Sequence, residues 1–279
     1  MNAEELSLKE ALQFWGVTHL PFAEGFGSAP CRTPAVELTL AVLQQTAALR
    51  NMSLIVGEPG VGKSSLVAWW SARLDPKLYR PLVITHSALS GMGLLAMIVH
   101  KLGKPARHRR ESNLQLMETT AAELGRITPV LILDEAQNYH RSALEEMRLL
   151  FGLNLSRQPL FALVLIGDNY LLDTLRLQSY RVLYSRISAH AVLPRLEREQ
   201  IAPYLEHALT SVGQPAQLFA QASIELLAQA SGGVPRTLTF LARAAWHEAA
   251  KRRANQILPE HVRPALLSVP AAQEKLLTA

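Results

Sequence analysis

One short loop constrains this chain more than any other feature. Gly57-Glu58-Pro59-Gly60-Val61-Gly62-Lys63-Ser64 follows the apolar run MSLIVG and opens a helical pattern. A strand must therefore turn into a helix through closely spaced glycines. Gly57, Gly60 and Gly62 let the backbone curl so that successive N–H groups face one point. The helix that follows presents the positive end of its dipole to the same point. Such a turn cradles phosphates, with Lys63 reaching the β- and γ-phosphates and the Ser64 hydroxyl ligating Mg2+. The expected nucleotide contacts are Gly57, Glu58, Pro59, Gly60, Val61, Gly62, Lys63, Ser64 and Ser65, with ATP and Mg2+ as cofactors.

Around this loop, short apolar runs alternate with helical patterns. The runs are Met52–Gly57, Pro81–Ser87, Val130–Glu135, Phe161–Gly167 and Ala189–Pro194. They show little polar alternation, as strands covered on both faces do. Helical stretches at about 63–74, 91–102, 112–126 and 141–155 separate them, which predicts a parallel sheet with right-handed crossovers. Thr33 and Pro34 suit the start of a further helix. After residue 195 the patterns are helical with no strand between them. The expected organisation is an irregular lead-in over 1–32, an αβα domain over 33–194, a helical domain over 195–270 and a tail over 271–279.

Composition excludes several classes. The 279 residues are 49% hydrophobic, which argues against global disorder. No stretch approaches the ~18 apolar residues of a membrane span. The single cysteine, Cys31, rules out an intramolecular disulfide framework and fits a reducing cytosol. The acidic N-terminus lacks the form of a signal peptide, so a cytoplasmic location is expected. The net charge of +5 permits an anionic partner without requiring one.

A second motif is VLILDEAQ, Val130 to Gln137. Asp134 would leave a strand at the sheet's carboxyl edge and hold the Mg2+ shell. Glu135 would polarise the attacking water. Asp168 and Asn169, in LVLIGDN, emerge at the same edge. Either one is placed to sense the γ-phosphate, or Asp168 caps the next helix. Arg176, Arg181 and Arg186 precede the last strand, and Arg236 starts a helix in SGGVPR. Spacing alone leaves these arginines as surface residues.

The order of GEPGVGKS, DEAQ, IGDN, SRI and SGGVPR, with the lead-in FWGVTHLPF, resembles the AAA+ ATPases of the ExeA/TniB type. These resemble bacterial transposition helpers such as TnsC and the Mu B protein, and more remotely the Orc/Cdc6 initiators. The resemblance covers about residues 14–267. It implies an AAA+ P-loop NTPase fold with a five-stranded parallel sheet, order 5-1-4-3-2, and a helical lid. It assigns Lys63 and Ser64 to the Walker A motif and Asp134 and Glu135 to Walker B. Asp168 falls at sensor 1, where an aspartate is electrostatically awkward beside a triphosphate and Asn169 is the alternative. Arg186 resembles the arginine finger, with Arg181 as the alternate, and Arg236 resembles sensor 2.

The client is expected to be duplex DNA, gripped through its backbone without sequence preference. Basic residues cluster at KPARHRR, so Lys104, Arg107, Arg109 and Arg110 are expected phosphate contacts, with Thr85 and His86 nearby at a strand end. A second cluster, KRR at Lys251–Arg253, suits a helix C-terminus. The resemblance further implies a homo-oligomer, ring or helical filament, that recruits a transposase and works with a targeting protein. The alternative is an ExeA-like secretion-associated or protein-remodelling ATPase. That role involves a membrane anchor and a peptidoglycan-binding extension, and the absence of both from this sequence sets the expectation of a DNA-linked helper without a membrane partner.

Overall fold

The computed structural model describes residues 3–23, 29–85, 88–150 and 159–269. Two compact units are present. One holds Pro34–Pro59 and Lys63–Leu193. The other holds residues up to Thr33, the short piece Gly60–Gly62, and residues from Pro194 onward. Helix α1 (Ala3–Trp15) opens the chain within the second unit.

The α/β unit runs α2 (Pro34–Leu49), β1 (Met52–Val56), α3 (Lys63–Ser71), β2 (Tyr79–Ile84), α4 (Gly91–Lys101), α5 (Arg110–Leu124), β3 (Thr128–Leu133), α6 (Arg141–Leu150), β4 (Ala162–Gly167), α7 (Asn169–Arg176), α8 (Arg181–Tyr184) and β5 (Ile187–Val192). The strands form one parallel sheet in the order β2-β3-β4-β1-β5. Read from the other edge, this is the expected order. Edge strand β2 begins at Tyr79 and takes in Pro81, which an edge position tolerates. Strand β5, on the other edge, begins at Ile187 rather than Ala189 and is only partly covered. The fourth helical pattern ends at Leu150, and its remainder, 151–155, lies outside the described residues.

Both faces of this sheet are apolar, and the period-two alternation of each strand sorts the side chains. Met52, Leu54 and Val56 join Leu131, Leu133, Leu163 and Leu165 in one core cluster, with α4 and α6 supplying Leu94, Ile98 and Met147. Ile55, Val130, Ile132, Val164 and Ile166 face the other way, onto Leu43 and Val67 from α2 and α3. Burial on both faces explains why the central strands read as unbroken apolar runs.

The helical unit adds α9 (Arg198–Thr210), α10 (Gln221–Ser231), α11 (Pro235–Lys251) and α12 (Pro259–Ser268) to α1. Its centre is Trp246, fully buried on α11. The described residues before Thr33 group with this unit. Trp15 stacks on Trp246 with ring centroids 5.9 Å apart, and its indole N–H donates to the Trp246 carbonyl at 3.2 Å. Gln214 donates to the Trp15 carbonyl at 2.7 Å. Phe22 meets Phe219 edge-on at 5.9 Å. Trp15 and Phe22 of FWGVTHLPF thus serve the core of the helices that follow β5 in sequence. Replacing Trp246 with Ala would leave a large cavity, and urea unfolding should report a loss of about 3–5 kcal/mol.

Candidate active site

Parallel pairing places the carboxyl ends of β1, β4 and β3 side by side. Val56 is in register with Gly167, and Leu133 with Leu165. Open α/β sheets bind ligands at this edge. Every residue read from the sequence as catalytic, apart from the arginines and Lys63, lies within two residues of one of these ends.

The loop leaving β1 has the curl its glycines were expected to provide. Gly60 has φ +85° and Gly62 φ +98°, in the region that favours glycine. Helix α3 starts at Lys63, and the N–H groups of its first turn have no partner within the helix. Lys63 is buried, with 8% of its surface exposed. Its ammonium donates to the carbonyls of Gly57 at 2.7 Å and Glu58 at 3.0 Å. The cation is therefore held at the loop's mouth by weak acceptors that a phosphate can displace. Ser64 is half-buried on the same turn and Ser65 is exposed. Within the helical unit, the Arg236 N–H donates to the Gly60 carbonyl at 3.1 Å. The Arg236 side chain itself is exposed.

Asp134 follows β3 directly. Its N–H donates to the Ile84 carbonyl at 3.0 Å, extending the β2–β3 ladder by one step. Its carboxylate accepts the Glu135 N–H at 2.9 Å. Glu135 is exposed and left-handed, with φ 52° and ψ 42°, an uncommon state for a residue with a side chain. A 3-10 turn over Ala136–Asn138 then brings Gln137 back, and its amide donates to the Glu135 carboxylate. The Tyr139 hydroxyl donates to the Ile84 carbonyl at 3.4 Å. Burial pushes its phenol above the usual range, and the nearby Asp134 charge adds to the rise. The chemistry of Ser64 and Asp134 fits Mg2+, which takes one or two protein oxygens and completes its shell with phosphate and water.

Asp168 shows the cap geometry that the sequence left open. Its carboxylate accepts the Leu171 N–H at 3.1 Å and caps α7. Asn169 is the first residue of that helix and is exposed. Arg186 is half-buried and Arg181 exposed, both beside β5.

The basic loop carries ion pairs that its sequence does not show. Lys104 is paired with Glu123 at 2.9 Å. Arg110 makes a two-pronged contact with Glu146, at 2.8 and 3.0 Å. These two cations brace the loop through ion pairs. Arg107 and Arg109 are exposed. Asn113, to which the motifs assign no role, is fully buried and clamps the Arg107 backbone from both sides, accepting its N–H at 2.7 Å and donating to its carbonyl at 2.8 Å. An asparagine inside an otherwise packed helix face was the available signal. Thr85 is exposed past β2, while His86 lies outside the described residues.

A family model described as an AAA domain matches residues 47–175. The loop geometry and the sheet order agree with this match. The chain is an ATPase with the AAA+ P-loop fold. This ATPase uses ATP and Mg2+. It is 29% identical over 212 residues to general secretion pathway protein A of Aeromonas hydrophila, a match covering 74% of this chain and 38% of that protein. The chain therefore spans well under half of the length of that relative. The Cdc6p structure from Pyrobaculum aerophilum is similar in fold, with a TM-score of 0.68, 20% identity, and coverage of 89% of this chain and 70% of that one. The Aeropyrum pernix ORC1 protein, solved in complex with DNA, has a TM-score of 0.63 at 20% identity, covering 86% and 65%. Among the described residues, no helix is long and apolar enough to cross a membrane.

Losing the α7 cap should cost stability. Asp168→Ala should lower the unfolding free energy by about 1 kcal/mol, and Asp168→Asn should restore most of it, as both measured in urea.

Proposed function

We propose that this ATPase is a DNA-binding regulator of transposition, assembling on duplex DNA when it holds ATP and disassembling on hydrolysis. The observation that carries the reading is the basic loop before α5. Its backbone is pinned by buried Asn113 and its flanks are neutralised by ion pairs, yet Arg107 and Arg109 remain exposed. Cations on a braced loop suit a phosphate backbone, since little ordering entropy is left to lose on contact. The fold likeness to a DNA-bound ORC1 protein supports the same class of client.

In this reading Lys63, the loop N–H groups and the start of α3 bind the triphosphate. Ser64 and Asp134 hold Mg2+, which neutralises charge on the phosphates when bound. Glu135 takes a proton from water as the water oxygen bonds to the γ-phosphorus. The bond from that phosphorus to the bridging oxygen breaks, giving ADP and phosphate. Arg186 of a neighbouring copy, or Arg181, reaches the nucleotide and couples assembly to its state. Arg236 takes the sensor 2 role that the resemblance implies, and Asn169 is the remaining sensor from the end of β4. The assembly, a ring or a helical filament, marks a target and recruits a transposase, with a targeting protein able to load it.

The second reading is a secretion-associated or protein-remodelling ATPase. It is favoured by the 29% identity with general secretion pathway protein A. DNA binding separates the two. In the DNA reading, Arg107→Ala and Arg109→Ala each lower the slope of log affinity against log salt by about 0.9. Lys104→Ala and Arg110→Ala should move it less. Glu135→Gln should leave persistent ATP-bound oligomers on DNA, seen by sedimentation. Slopes unchanged in all four arginine and lysine variants would remove this loop as the DNA contact. ATP turnover with no DNA affinity in any nucleotide state would favour the secretion reading.

A further inference from the structure

We propose that Gln137 is the positioning residue for Glu135, its side-chain amide fixing the carboxylate that takes the proton from water. The inference rests on the reading of Glu135 as the general base. Four observations on the α/β unit carry it.

First, the Gln137 amide donates directly to Glu135 Oε2 across the 3-10 turn that follows β3. A carboxylate held through one oxygen has its rotamer fixed and keeps Oε1 as proton acceptor. Fixing matters here because Glu135 is exposed and its backbone lies in the left-handed region.

Second, the other end of the same amide lies close to the end of the neighbouring strand β4. A methyl group added at Gly167, the last residue of β4, would lie 2.9 Å from Gln137 Oε1. Glycine there leaves room for the Leu171 side chain, 2.5 Å from such a methyl group, and for the amide beside it. Gln137 thus spans the two adjacent strand ends at the catalytic edge.

Third, this placement is poor for stability alone. Gln137 Oε1 is buried without a hydrogen-bond partner. A buried, unpaired acceptor costs about 1–3 kcal/mol, and an apolar side chain of the same length would avoid that. A local rule broken at a strand end next to a catalytic carboxylate points to a functional demand.

Fourth, the polar groups of the adjacent β4 end are otherwise occupied or turned out. Asp168 is engaged as the α7 cap and Asn169 is exposed on the first turn of that helix. The Gln137 amide, by contrast, donates to the Glu135 carboxylate.

The test compares Gln137→Met, Gln137→Glu, Glu135→Gln and the double variant Glu135→Gln/Gln137→Met in the full chain. Met keeps length and loses the donor, while Glu puts an acceptor where the donor was. Single-turnover hydrolysis should fall on the order of 10- to 100-fold in both Gln137 variants. Equilibrium affinity for a fluorescent ATP analogue should stay within about twofold, since ground-state binding is untouched. The urea midpoint of Gln137→Met should be equal to or above that of the parent. The double variant should hydrolyse no more slowly than Glu135→Gln alone, because Gln137 acts only through Glu135. Unchanged hydrolysis in Gln137→Met would overturn the proposal, as would parallel losses of turnover, affinity and stability, or additive losses in the double variant. Should Glu135→Gln itself turn over normally, the general-base reading fails first and takes this one with it. A dead Glu135→Gln beside a fully active Gln137→Met would overturn the positioning role alone.

Discussion

Hydrogen bonding of β1, β4 and β3 in parallel register is the constraint from which the site follows. Parallel strands end together, so Val56, Leu133 and Gly167 emerge at one edge. The glycine loop, the acidic pair and the start of α7 each follow one of these ends. No side chain has to reach far, since the ladder has already brought the backbone segments side by side. The ladder in turn depends on burial of both sheet faces, with leucines and methionine on one side and isoleucines and valines on the other. Loss of either apolar layer would free the strands to shift, and the edge would no longer align.

At that edge, local backbone states are held against their intrinsic preferences. Gly60 and Gly62 adopt positive φ at little steric cost. Glu135 does so with a full side chain. The Lys63 ammonium is drawn inward to two loop carbonyls, and the Asp134 charge is near enough to raise the Tyr139 phenol. The site therefore has charge and geometry set before any ligand is considered, in keeping with catalysis by preorganised electrostatics. The basic loop follows the same logic on a larger scale, with Asn113 and two ion pairs fixing the backbone that displays Arg107 and Arg109.

The glycine loop and the five strands were legible in the sequence because each has a strong local signal: glycine spacing, or an apolar run bounded by turn residues. The role of the lead-in was not. Trp15 and Phe22 pack on Trp246 and Phe219, far along the chain, and no local pattern encodes such a partner. The same holds for Lys104 and Arg110, whose charges looked free in a basic run and are paired with Glu123 and Glu146 from elsewhere. Asp168 was open between two roles, and only the hydrogen bond to Leu171 shows the cap. Gln137 stood in plain view in DEAQ, but its significance lies in a left-handed turn and a glycine on the next strand. The AAA+ fold narrows the chemistry to ATP hydrolysis; the client has to come from the surface, where ion pairing edits what composition suggests.

ATP-gated assembly on DNA is tested most directly by sedimentation velocity of the full chain. It would be run with duplex DNA in ATP, in ADP and without nucleotide, over a range of salt. The account predicts large DNA-bound assemblies with ATP alone, which dissolve steeply as salt rises. Identical sedimentation in all three nucleotide states, or none with DNA in any of them, would contradict it.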